Sequence, residues 1–196
     1  MNRTKVDELL CESLETERGG IKIYETALGC VQNADLRKEW TKYLTETRRH
    51  ETILSEICTE FGVNSEMETT GRQIVRSHAE VLVKAMQMAL SSGVKGQAEI
   101  VAAEAVTTAE LKDHMNWQLI GQVAKKLDGH DADVLKRAYD EVEDQEDRHF
   151  YHARGWAREL WASALGIPAV IPPPEEKLNV KSGMAAAAAE GSRKLM

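Results

Sequence analysis

Glu146-Asp147-Arg148-His149 sets a carboxylate and an imidazole three residues apart, a spacing that puts both on one face of a helix. Glu46 and His50 are four apart and share a face in the same way, with Thr47 three residues before His50. Glu110 is followed at the same interval by His114, and Glu17 stands in the middle of the heptad line Leu10, Glu17, Tyr24, Val31. Carboxylate oxygens combined with imidazole nitrogens are a donor set for iron or manganese. An isolated buried carboxylate is costly, and several together repel one another. A pair of divalent cations offsets both effects at once.

These residues have chemical meaning only if their stripes face a core. On the second helical segment the line Leu36, Trp40, Tyr43, Thr47, His50, Leu54, Ile57, Phe61 alternates steps of four and three, and Glu46 lies on the adjoining line. Leu135, Tyr139, Val142, Glu146, His149, Ala153, Trp156, Leu160 does the same near the end of the chain. Ile100, Ala103, Thr107, Glu110, His114, Trp117, Gly121, Ala124 makes a narrower stripe of mostly small residues. Strand signals are nearly absent, so the chain is read as all-helical.

Helices are expected at about Lys5–Val31 and Asp35–Phe61, broken at Gln32-Asn33-Ala34 and stopped by Gly62. A crossover helix follows at Arg72–Leu90, between Gly71 and Ser91-Ser92-Gly93. The last two long helices span about Lys95–Leu127 and Ala132–Leu165, separated by the turn residues Asp128-Gly129-His130. Two hairpins joined by one long connection form a four-helix bundle over residues 1–165. Glu17 and His50 are equidistant from the first turn, and Glu110 and His149 from the second. At about 1.5 Å per residue each pair lies roughly 25–30 Å from its turn, so both hairpins point to one mid-bundle layer. Residues 166–196 open with Ile-Pro-Ala-Val-Ile-Pro-Pro-Pro and are expected to be a proline-rich extended arm and a disordered tail.

Composition narrows the function classes. Net charge is −7, from 25 basic and 32 acidic residues, and no cluster of lysine and arginine marks a nucleic-acid surface. Cys11, Cys30 and Cys58 are odd in number and widely spaced, so they are read as free thiols of a reducing cytoplasm rather than as a disulfide framework. No apolar run has the length of a membrane span, and the charged first residues do not read as a signal peptide. A soluble cytoplasmic protein with no nucleic-acid or membrane partner is expected.

With Glu146-x-x-His149 on an inward stripe and a carboxylate on each long helix, residues 5–165 resemble the ferritin-like di-iron carboxylate superfamily. The rubrerythrin-like and bacterioferritin-like branches are the nearest in character. The family plan takes Glu, Glu-x-x-His, Glu and Glu-x-x-His from its four helices in order. The resemblance implies Glu17 and Glu110 as terminal or bridging carboxylates, Glu146 as a bridge, and His50 and His149 as one imidazole for each of two irons, with manganese as the other candidate. Thr47 replaces the glutamate expected three residues before His50, so Glu46 is read as its substitute and the sixth ligand. His114, Glu143 and Thr47 stand as further ligands or as groups supporting them, with Glu104 and Glu143 solvated or behind the ligands. His78, His130 and His152 are expected at the surface, and the tyrosines and tryptophans on the stripes are read as packing residues.

The implied function is a di-iron oxidase, peroxidase or ferroxidase acting on O₂ or hydrogen peroxide, with a role in oxidative-stress defence. No CxxC pair is present for a rubredoxin domain, so an external reductant is implied, and a homodimer is expected. Two rivals stand beside it. One is a metal-free or vestigial bundle with a structural or stress-associated binding role, motivated by Thr47. The other is an iron-storage cage subunit, disfavoured by the crossover helix and the proline-rich arm.

Overall fold

A computed structural model describes residues 1–180 and 183–193. Its helices are α1 (Arg3–Cys30), α2 (Ala34–Glu60), α3 (Thr70–Ser91), α4 (Gln97–Ala124), α5 (Gly129–Ala164), α6 (Pro174–Leu178) and α7 (Gly183–Arg193), with no strand among the described residues. The five long helices begin and end within three residues of the expected positions.

Local chemistry sets the boundaries. The side chains of Asn2, Asn33 and Thr69 accept hydrogen bonds from the first-turn amides of Lys5, Leu36 and Arg72, filling donors that a helix start leaves open. Gly62, at φ +65°, adopts the left-handed conformation that ends α2, where a side chain would be strained.

Side-chain pairs fix the helix directions. Arg18–Glu51 and Arg48–Glu25 make α1 and α2 antiparallel. His114–Asp147 and Trp161–Glu104 do the same for α4 and α5. Thr16–Asn116 and Gln32–Glu99 run α1 against α4, and Tyr43–His152 with Arg49–Glu141 run α2 against α5. The four long helices therefore form a bundle in which each is antiparallel to both packed neighbours. α3 lies outside it, packed on α1 and α4. It runs parallel to α1, as Arg72 on Glu15, Ala79 against Gly19 and Cys30 against the Met86 carbonyl show.

The bundle core is in two parts. One cluster includes Tyr24, Leu36, Trp40, Val106 and Trp156, and the other Leu14, Leu54, Trp117, Leu135 and Val142. Between them lies a mid-bundle layer in which inward positions are polar, including Glu17, Thr47, His50, Glu110, Glu146 and His149. Cys11, Cys30 and Cys58 are buried free thiols. No helix among the described residues is long and apolar enough to cross a membrane.

The C-terminal segment differs from the extended arm and disordered tail expected of it. The chain is irregular through residue 173, then forms α6 and α7, the latter over an alanine run with high helix propensity. Glu159, buried in α5, accepts a hydrogen bond from the Val170 amide at 2.7 Å, and Arg158 pairs with buried Glu175 at 2.9 Å. Val180, Ala186 and Ala189 pack together beside Tyr151. These tertiary contacts have no periodic signature in the sequence. Residues 181–182 and 194–196, also covered by the tail expectation, lie outside the described residues.

Candidate metal centre

Each long helix of the bundle delivers its ligand-type residue to the same depth. Glu17 comes from α1, His50 from α2, Glu110 from α4, and Glu146 with His149 from α5; all five are at most 3% exposed. Glu146 is central. Its Oε1 lies 3.0 Å from His50 Nδ1 and 3.6 Å from His149 Nδ1. Glu17 Oε1 approaches His50 Nδ1 at 3.7 Å, and Glu110 Oε2 approaches His149 Nδ1 at 3.6 Å. Two groups of donor atoms result, Glu17–His50–Glu146 and Glu110–Glu146–His149, each with its atoms within 4.8 Å of one another. Glu146 belongs to both.

The donors face inward without hydrogen-bond partners. Glu17 Oε2, His50 Nδ1, Glu110 Oε2, both Glu146 oxygens and His149 Nδ1 are all buried and make no hydrogen bond. Native cores pair nearly all such atoms, so six of them converging on one layer fit a cation pair. The outer ring nitrogens are held from behind. His50 Nε2 donates to Gln145 Oε1 at 3.1 Å and His149 Nε2 to Glu46 Oε2 at 3.0 Å. A proton fixed on Nε2 leaves the Nδ1 lone pair of a neutral ring aimed at the centre. Trp117 Nε1 donates to Glu17 Oε1 at 2.8 Å and orients that carboxylate.

The electrostatics of this layer of side chains follow from burial. Burial raises the pKa of Glu17 and Glu110, and neighbouring Glu146 reinforces both shifts. Burial would lower that of His50, but Glu17 and Glu146 overcome it and lift the imidazole to about 9. Burial lowers His149. Glu146 is held below its ordinary value because His50 outweighs the effect of burial. Tyr24 and Tyr43 border the layer. Tyr24 is buried beside Glu110, and the Tyr43 ring lies 4.1 Å from that of His149.

Glu46 requires a correction. Expected as an inward sixth ligand, it lies behind His149, accepts its outer N–H, and is near Lys42 and Arg148 at 3.5 and 3.9 Å. Four residues before His50 the α2 face has already turned toward α5. Thr47 does occupy the inward position but brings no carboxylate; its methyl would stand 3.3 Å from a Cβ placed on Gly20. His114 belongs to neither donor group. Its Nδ1 faces Asp147 Oδ1 at 3.4 Å, its Nε2 accepts from Gln118, and its ring stacks on Phe150. Glu143 and Glu104 are exposed, the latter accepting from Trp161.

His152 is also corrected. Expected at the surface, it is 4% exposed, with Nδ1 2.7 Å from the Tyr43 hydroxyl and 2.8 Å from Glu39 Oε1. Glu39 in turn accepts from Trp156 Nε1. Its position four residues before Tyr43 was the available signal. His78 and His130 are exposed as expected, His130 at 2.7 Å from Glu60.

Asp113 is a residue that the sequence reading passed over. It is 5% exposed, its Oδ1 has no hydrogen-bond partner, and burial with the nearby charges of Glu17, Glu146 and Glu110 drives its pKa well up. Its signal was the spacing Glu110, Asp113, Trp117, steps of three and four along the same face as the chosen stripe.

Compared with protein-family models, with curated proteins and with solved structures, the chain finds no match.

Proposed function

We propose that this chain is a two-metal protein of the ferritin-like di-iron carboxylate type, holding iron or manganese and reacting with O₂ or hydrogen peroxide. The observation that carries the reading is the shared carboxylate: Glu146 lies within both donor groups, between two imidazoles whose outer nitrogens are tied back. Glu17 and His50 would hold one ion, Glu110 and His149 the other, and Glu146 both. Asp113, buried near Glu17, lies behind these ligands and belongs to neither donor group. A bound pair of iron or manganese ions supplies redox equivalents for O₂ or peroxide.

The residues of the chain do the rest. The apolar clusters above and below the layer exclude water, and Trp117 and Glu46 hold Glu17 and His149 in place. An external reductant would supply the electrons, because the sequence carries no CxxC pair for a rubredoxin-type module. The experiment is metal analysis of chelator-free protein beside Glu146→Ala. The wild type is expected to bind two ions per chain and the variant to lose the pair. A variant that still binds two ions contradicts the assignment of Glu146. A wild type with none supports instead the metal-free bundle that Thr47 suggests.

A further inference from the structure

The five ligand-type residues are sealed in the bundle, so an ion needs a way in. Glu146 lines a small surface cleft of about 20 Å³ between α4 and α5, whose walls include His114, Gln118, Tyr139, Glu143 and Asp147. A space of this size admits about one water or one bare ion. Three of the walls carry ligand-type groups graded in depth: Glu143 is exposed, the side chains of Asp147 and His114 are 13% and 10% exposed, and Glu146 at the floor is 1% exposed. His114 Nδ1 and Asp147 Oδ1 face each other at 3.4 Å. Neither Glu146 oxygen makes a well-formed hydrogen bond, so the floor of the cleft presents a buried carboxylate whose close partners are the imidazoles of His50 and His149.

Two further features keep the passage narrow. Tyr139 packs so closely on α4 that a Cβ on Gly121 would lie 2.6 Å from its ring, and glycine at 121 therefore permits this wall. His114 is braced by its stack on Phe150, with ring centroids 5.3 Å apart, and by Gln118.

We propose that divalent cations reach the centre through this cleft, captured at its mouth by Glu143, Asp147 and His114 and handed to Glu146. The inference rests on the two-metal reading above and adds to it a route and three residues outside the ligand set. Carboxylates at the mouth concentrate cations and accelerate capture, an effect that added salt weakens. The imidazole and Asp147 offer transient ligands that replace part of the ion's water before the floor is reached.

The test mixes metal-stripped full-length chain with cobalt(II) and follows filling by visible absorption in a stopped-flow instrument. The variant carrying His114→Gln, Glu143→Gln and Asp147→Asn is expected to fill at least about tenfold more slowly at low salt, yet to reach two ions per chain. Rising ionic strength should slow the wild type much more than the variant. Glu143→Gln alone, at an exposed position, is a second variant that leaves folding intact and should show a smaller, severalfold slowing. Equal filling rates in wild type and variants overturn the route. Loss of an ion at saturation in the variant also overturns it, because the residues would then be ligands. A wild type that binds no cobalt removes the two-metal reading itself, an outcome distinct from equal rates.

Discussion

At the scale of single residues, the division between groups that face the centre and groups that hold them from behind makes separable predictions. Glu46→Gln removes the carboxylate behind His149 but none of the six inward donor atoms. The variant should keep two ions per chain with affinity lowered by about 10–100-fold, measured by competition with a chelator. Loss of an ion instead would make Glu46 a ligand. The metal-free layer also predicts a pH dependence. Glu17 and Glu110 have folded-state pKa values above the ordinary 4.5, and His50 is lifted from 6.5 to about 9. A raised folded value stabilises the fold fully below the unfolded pKa and is lost as pH rises through the folded one. Metal-free protein should therefore melt at progressively lower temperature between about pH 6.5 and 9, and the metal-loaded protein much less so. Metal-free protein that gains stability over this range would contradict the charge assignment.

At the scale of elements, α5 joins the centre to the C-terminal segment. Gly155 lets that segment come close: an added Cβ would lie 2.8 Å from Glu175 Oε2 and 3.3 Å from the Pro173 side chain. Gly155→Ala should displace α6 and cost about 1–3 kcal/mol in denaturant unfolding, with altered fluorescence from neighbouring Trp156. An unchanged unfolding midpoint would mean that the segment is not packed there. The long helices were legible because their stripes repeat over about six to seven turns and because Asn33, Gly62 and Gly129 are strong local signals. The level of Glu17, His50, Glu110 and His149 was legible from equal distances to the turns. Glu46 was misplaced because neighbouring lines on one helix differ by about 100° per residue, and a sequence does not say where a face ends. His152 and Glu39 were missed for a related reason. Each finds its partner on another helix, and α6 closes over them with contacts that follow no period.

For the whole molecule, the polar layer divides the core into two apolar clusters, and carboxylate–imidazole pairs such as Glu146–His50 cross it. An ion pair tied to all four long helices would stabilise the folded state by about 4 kcal/mol when free metal is a thousandfold above its dissociation constant. Adding a chelator should thus lower the melting temperature, and restoring iron or manganese should recover it. The same chain without a cage should elute from size-exclusion chromatography as a monomer or small oligomer, whereas a closed shell would elute many times larger. The most direct test of the central claim is anomalous X-ray scattering from crystals of the loaded protein at the iron and manganese edges. Two peaks about 3.5–4 Å apart are expected, one in Glu17–His50–Glu146 and one in Glu110–Glu146–His149, both within reach of Glu146. Peaks elsewhere in the molecule, or no peak in this layer after loading, would contradict it.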